Sequence, residues 1–131
     1  MHKTDTLGKT DRLKSLVRIE NLFNTGRSFM SFPFVVYYTV GGKFDNDNSQ
    51  MMVSVSKHLF KHAVDRNRIK RLTREAYRLR RHRLEVDGVI FSIAFVYKSR
   101  KIESFETVSQ TMEGIVNRFL TILSQPAPVQ Q

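Results

Sequence analysis

The period of the apolar positions changes along the chain, and each change marks an element. From Leu13 to Phe23 the residues Leu13, Leu16, Val17, Ile19, Leu22 and Phe23 recur near helical spacing. Thr10 or Asp11 would cap this helix. Asn24-Thr25-Gly26 would end it, the glycine suited to a left-handed position. The stretch from Ser31 to Val40, SFPFVVYYTV, is β-branched and aromatic and predicts a strand, with Pro33 at its start or on an edge. Arg27–Ser31 is a weaker candidate for a further strand. A polar loop follows from Gly41 to Gln50. Met51–Ser56 then alternates from Met52 onward and predicts a second firm strand.

Periodicity returns to helical from Ala63 to Leu84. At 100° per residue, Ile69, Leu72, Ala76 and Leu79 share an arc of roughly 80°. Arg66, Lys70, Arg71, Arg74, Arg78 and Arg81 share one of roughly 140° on the other side. One face can therefore pack while the other presents cations, along a helix roughly 33 Å long. Asp87-Gly88 closes the segment. Val89–Tyr97 is a nearly continuous apolar strand, as a central position requires. Lys98–Ser104 is a loop, and Phe105–Ser124 is a last amphipathic helix burying Val108, Met112, Ile115, Val116, Phe119, Leu120 and Leu123. The expected architecture is α+β, helices against one small sheet. Met51–Tyr97 would form a parallel crossover, right-handed by the general preference. Residues 12–124 form one domain, between a flexible segment 1–11 and a flexible tail 125–131.

Composition narrows the partner. The chain has 131 residues, 22 Lys+Arg against 12 Asp+Glu, and a net charge of +10. Residues 57–83 hold eleven of the basic residues and only two acids, so that segment is +9 and the remainder +1. Cationic repulsion at that density destabilises an isolated helix, and a polyanion relieves it. Nucleic acid is the first candidate and an anionic membrane surface the second. The membrane reading fails because Ile69, Leu72 and Leu79 are needed for the core and are not available to lipid. No cysteine is present, which excludes disulfides and thiolate chemistry. No apolar run is long enough to span a membrane, and the first residues lack a secretory pattern, so a cytoplasmic protein is expected.

Catalytic and metal chemistry finds little support. Asp45–Ser49 resembles the opening of a calcium loop, but the required glycine is Gln50 and the closing glutamate is Ser56. His58 and His62 could share a helix face, yet no third ligand accompanies them. Acids are scattered, without the convergent set a metal-dependent nuclease needs. No nucleophile–base pair and no phosphate-binding glycine loop is apparent. The residues describe a binding protein without a catalytic constellation of its own.

The stretch Val53–Arg74, VSVSKHLFKHAVDRNRIKRLTR, carries a resemblance. Val55-Ser56-Lys57, Ala63-Val64, Arg66-Asn67-Arg68, Lys70-Arg71 and Arg74 resemble the signature of the bacterial ribonuclease P protein subunit. The likeness in element order runs from Arg12 to Leu123. It implies a small, mostly antiparallel four-stranded sheet with three helices, in the order α-β-β-β-α-β-α. It also implies a left-handed β-α-β crossover of the ribosomal protein S5 domain 2-like type. It implies a partner, the ribonuclease P RNA, and a substrate, precursor tRNA, whose 5′ leader is removed by phosphodiester hydrolysis. The RNA would carry the active site and hold Mg²⁺; the protein would hold no metal, contribute no catalytic residue and need no obligate protein partner.

The resemblance assigns two surfaces. Arg66, Asn67, Arg68, Lys70, Arg71, Arg74 and Arg78 match positions facing the RNA subunit, where arginine gives bidentate phosphate contacts. Arg66 and Arg68 point roughly 200° apart on a regular helix, so one of them would support the helix start. A cleft between the first helix and the sheet would take the unpaired leader, with Phe23 and Tyr37 as aromatic platforms and Arg12, Lys14 and Lys57 as cations. Ile19 stands where the family has another aromatic, which removes one platform. Phe23 has a competing assignment to the core. Lys61-His62 replaces a Gly-Asn pair common before Ala-Val, and the N-terminus is less basic than is usual. The alternative function is a generic RNA-binding or ribosome-associated protein with no role in cleavage.

Overall fold

The computed structural model describes residues 11–41 and 48–125. Its elements run α1 (Leu16–Thr25), β1 (Arg27–Ser31), β2 (Phe34–Val40), β3 (Gln50–Val55), α2 (Ala63–Arg78), a 3-10 turn (Arg81–Leu84), β4 (Phe91–Tyr97) and α3 (Phe105–Ser124). The strands form one sheet in the order β1-β2-β4-β3. β1 and β4 each pair antiparallel with β2, and β3 pairs parallel with β4. The last strand is therefore central, which accounts for its unbroken apolar run. The α+β class, the four strands and the parallel crossover through α2 all match expectation.

Register sorts the side chains onto two faces. Phe29, Val36, Phe95 and Val53 lie across from one another, as do Tyr38, Ile93 and Met51. That face is the main core, closed by Ile69, Ala76 and Tyr77 of α2 and by Val108, Met112, Ile115, Val116, Phe119 and Leu123 of α3. The other face carries the row Ser28, Tyr37, Ala94 and Met52. There Leu13, Ile19 and Leu22 pack on Ala94, Tyr37 and Met52 in a smaller cluster. α1 thus forms a thin third layer.

Several boundaries differ from expectation, each for a local reason. The first helix starts at Leu16, with Ser15 as its cap: its Oγ accepts from the Arg18 N–H at 3.3 Å. The preceding residues are extended. Arg12 bridges to Met51, and the Leu13 N–H donates to the Met51 carbonyl at 2.8 Å along the outer edge of β3. Leu16 and Val17 are exposed, while Arg18 and Leu22 are the buried pair of α1. Gly26 is not left-handed; its φ is −75°. Glycine is required because a Cβ would lie 2.2 Å from the Leu22 carbonyl oxygen and 2.8 Å from that of Tyr38. Asp11, expected at the end of the flexible N-terminal segment, forms an ion pair with Arg81 at 2.7 Å. The strand predicted over Ser31–Val40 starts only at Phe34, since Phe32 and Pro33 make the turn of a hairpin with β1, through a cis Phe32–Pro33 bond. β4 likewise begins at Phe91 and not at Val89.

The basic helix is shorter than the periodicity predicts. It stops at Arg78, which makes it about 24 Å long, and the chain tightens into the 3-10 turn. Its buried face is Ile69, Thr73, Ala76 and Tyr77, spaced i, i+4, i+7 and i+8. Leu79, assigned to the core by periodicity, is exposed, and Leu72 is half-buried. Tyr77 takes the space, its ring edge-on to Phe95 at 5.6 Å, while Thr73 satisfies its hydroxyl on the Ile69 carbonyl at 2.8 Å. The first ten residues, the Gly42–Asp47 part of the polar loop with most of the calcium-like motif, and the tail from Pro126 lie outside the described residues.

Candidate nucleic-acid interface

The cations of the segment 57–83 divide into two groups. Those in the second group are tied to the protein. Arg78 forks onto Glu75, its Nε donating to Oε1 at 3.0 Å. Arg80 donates to Glu113 Oε1 at 2.9 Å, to the Ala76 carbonyl at 2.9 Å and to Ser109 Oγ at 2.7 Å. Arg83 reaches Glu113 and Asn117, and Arg81 holds Asp11. Arg80 and Arg83 fasten the end of α2 and the 3-10 turn to α3, and Arg81 fastens the turn to the N-terminal segment, while the Arg78 pair stays within α2. Their carboxylate partners respond: hydrogen bonds from Arg80 and then Arg83 hold Glu113 below the usual carboxylate range, and Arg78 does the same to Glu75. Arg78 and Arg81, expected on the solvent face, thus belong to intramolecular pairs.

The first group comes earlier in the chain. Lys57, Lys61, Asn67, Arg68 and Arg71 are exposed, and Lys70 and Arg74 are half-buried. None of these cations forms an ion pair among the described residues. Asn67, Arg68 and Arg71 share one stripe by helical spacing. Arg66 is different: its guanidinium donates to the Phe60 carbonyl at 2.7 Å and anchors the loop that leads into α2. Of the pair two residues apart, Arg66 supports the helix start and Arg68 faces solvent. Arg12, expected in the cleft, is exposed beside the edge of β3, where it bridges to Met51, and its charge reaches Arg74. Burial first, and the Arg12 charge second, pull Arg74 below its ordinary pKa. Arg12 therefore extends the cationic face of α2.

The cleft residues are brought together in part. The rings of Phe23 and Tyr37 meet at 4.9 Å, and Phe23 is 38% exposed, so it belongs to the surface and not to the core. Ile19 packs in the same cluster as Tyr37, Ala94 and Met52. Lys14 is exposed ahead of α1, and Lys57 is exposed just beyond the end of β3. Beyond Tyr37 the next row on this face is Met30, Val35, Val96 and Ser54. α1 leaves this row uncovered: Met30 is 70% exposed and the other three are half-buried. The row ends beside Lys98, whose N–H donates to the Pro33 carbonyl at 2.7 Å. Lys98, Arg100 and Lys101 are all exposed there. Charge counting along the chain passed over these three, because they fall in the half that sums to nearly zero.

α1 is held over the sheet by a buried cation that periodicity could not show. Arg18, 2% exposed, donates from Nε to Ser92 Oγ at 2.7 Å and from Nη2 to the Asn48 and Phe91 carbonyls at 2.7 and 3.0 Å. Burial pulls its pKa down. Among the described residues no group of three His, Asp or Glu side chains converges. His58 lies in a turn and His62 caps α2, so the two do not share a helix face. A cavity of about 340 Å³ at the start of β4, lined by Tyr77, Arg81 and Phe91 among others, lies at the opposite end of the sheet from Lys98.

Known proteins resemble the chain over nearly its whole length. A family model described as Ribonuclease P matches residues 7–126. The ribonuclease P protein component of Porphyromonas gingivalis is 39% identical over 111 residues, covering 82% of this chain and 81% of its own. That of Clostridioides difficile is 32% identical over 114 residues, covering 84% and 92%. The structure of the Staphylococcus aureus RNase P protein has a TM-score of 0.67 at 25% identity, covering 88% of this chain and 100% of its own. The Thermotoga maritima RNase P protein, at 23% identity and a TM-score of 0.67, bears on the fold alone.

Proposed function

The chain belongs to the ribonuclease P protein family, and from that premise we propose how its two surfaces divide the work of the holoenzyme. As the protein component of ribonuclease P it is one subunit of an endoribonuclease acting in tRNA processing, and its partner is the ribonuclease P RNA. The observation that carries the proposal is the sorting of cations. Arg68, Lys70, Arg71 and Arg74 of α2 form no ion pair among the described residues, whereas the arginines from Arg78 to Arg83 are held by carboxylates.

The unneutralised stripe of α2, with Asn67 beside it and Arg12 at its flank, binds phosphates of the RNA subunit. Guanidinium groups on a rigid helix suit this, since each can donate two parallel hydrogen bonds. Arg66 contributes by fixing the start of that helix. The open strip beside Phe23 and Tyr37 binds the unpaired 5′ leader of precursor tRNA. Aromatic faces stack on bases of any identity, and Lys14 and Lys57 attract the backbone. The substrate is thereby held at one end while the RNA subunit, which holds the Mg²⁺, hydrolyses the phosphodiester bond. No described side chain of the protein is assigned a bond-breaking role. The site of action is the cytoplasm.

Reconstitution tests the proposal. Purified protein, the ribonuclease P RNA of the same organism and precursor tRNA are combined at low Mg²⁺, with each component omitted in turn. Cleavage is expected only when RNA and protein are both present. Cleavage by the protein alone, or no stimulation of the RNA by folded protein, would overturn it.

A further inference from the structure

We propose that the cavity at the start of β4 is a binding site for a small organic cation: an ammonium on an apolar body, with a hydrogen-bonding group at its inner end. Neither the cationic stripe of α2 nor the aromatic cleft takes part, so the inference stands apart from the RNA-binding reading.

A buried hydroxyl with nothing to bond is the first observation. Tyr77 is 5% exposed and its ring packs on Phe95, yet its hydroxyl makes no hydrogen bond among the described residues. The charged groups that act on this hydroxyl are Arg81, Asp11 and Glu85, and all three line the cavity, so the oxygen faces into it. Burial pushes its pKa up and keeps it a donor. A buried polar group without a partner is costly in a fold, and a ligand that supplies the partner accounts for it.

Charge decides the class of ligand. The chain as a whole is +10, but the lining of this cavity holds Asp11, Glu85 and Asp87 against Arg81 alone. Asp11 and Arg81 neutralise each other at 2.7 Å. Glu85 and Asp87 remain, exposed and in no ion pair among the described residues. A phosphate or a strand of RNA is repelled there, and an ammonium is attracted. Between these carboxylates and the Tyr77 hydroxyl the wall is apolar: Leu84 and Phe91 are buried, Val89 and Ile90 half-buried. An apolar lining with a few placed polar groups, around about 340 Å³, is the usual form of a small-molecule site.

The walls are set before any ligand arrives. The Val89 N–H donates to the Val86 carbonyl at 3.0 Å, across a turn in which Gly88 takes a φ of 76°. Ser49 Oγ accepts from the Phe91 N–H at 3.1 Å, and the Gly41 N–H donates to the Ile90 carbonyl at 2.6 Å. A cavity already held in shape loses little freedom when it is filled.

The test uses the full chain and three probes of similar shape. Tyramine has the ammonium and the hydroxyl, phenethylamine lacks the hydroxyl, and hydroxyphenylpropionate carries a carboxylate in place of the ammonium. Backbone amide shifts are followed by NMR through each titration. Tyramine is expected to saturate with a Kd of about 1 mM, with shifts centred on residues 84–91. Phenethylamine is expected to bind about fivefold more weakly, the worth of one hydrogen bond. Hydroxyphenylpropionate, and tyramine with the double variant E85Q/D87N, are each expected to bind about tenfold more weakly. Tyr77→Phe is expected to bind the two amines alike and to melt no lower than the unaltered protein, because it discards an unpaired hydroxyl. Equal binding of tyramine and hydroxyphenylpropionate would reduce the site to apolar partition and overturn the proposal. Shifts centred elsewhere, or no saturation by either amine, would overturn it outright. A lower melting temperature for Tyr77→Phe would show the hydroxyl already satisfied within the fold, and the proposal would lose the observation it rests on.

Discussion

Arg18 is a cation taken out of water to serve three oxygens at the foot of the sheet. Replacing it with Met keeps the stem but strands the Ser92 hydroxyl and two carbonyls, and a buried acceptor left without a donor costs about 1–3 kcal/mol. Arg18→Met is expected to lower stability by roughly 2 kcal/mol, read as a shift of the urea midpoint. Glycines give a contrasting pair. Gly26→Ala drives a Cβ into two backbone carbonyls that cannot swing aside, and a loss of about 2 kcal/mol is expected. Gly114 lies within α3, where a Cβ would meet nothing within 4 Å. Gly114→Ala is expected to gain about 0.8 kcal/mol by helix propensity alone. Both are checked by the same denaturation measurement.

At the scale of elements, the basic helix and the turn after it separate two uses of arginine. Arg68→Ala is expected to weaken binding of the RNA subunit with little change in melting. Arg80→Ala removes donors from Glu113, Ala76 and Ser109, and is expected to cost about 1–2 kcal/mol of stability without weakening the RNA stripe. The same clamp gives a pH dependence. Glu113 is held below the usual carboxylate range in the folded chain, so its contribution is complete above the ordinary glutamate value and is lost as pH falls through the depressed one. Melting temperature should therefore fall in acid, and Glu113→Gln should flatten that limb of the profile. Periodicity captured α3 to the residue and the centres of the other elements. It failed where a side chain's role is amphipathic. Thr73 and Tyr77 were not counted as apolar although they form the buried face of α2, and Leu79 was counted although the helix has ended. Leu16 and Val17 have core chemistry on an exposed face, while Arg18 has surface chemistry in a buried position.

Across the whole molecule, charge is legible in the chain but its availability is not. Eleven basic residues in one segment announce a polyanion, yet only the structure separates Arg68 and Arg71 from Arg80, Arg81 and Arg83. Binding of the RNA subunit is expected to fall linearly in a logarithmic plot against salt. For six contacts the slope would be about −5 on duplex RNA treated like B-form DNA; a flat response would remove the phosphate assignment of α2.

The strand order has a consequence in time. β4 lies between β2 and β3, so these two strands have no shared neighbour until residue 97 has been made. During synthesis the β1–β2 hairpin can close early, but β3 and the polycationic α2 emerge with no sheet to join. A nascent chain stalled before β4 is complete is expected to be protease-sensitive through α2, and one stalled after α3 has emerged is expected to be resistant. The RNA-binding helix thus exists as an unanchored cationic segment for part of each chain's synthesis, and becomes a shaped surface only when the central strand arrives.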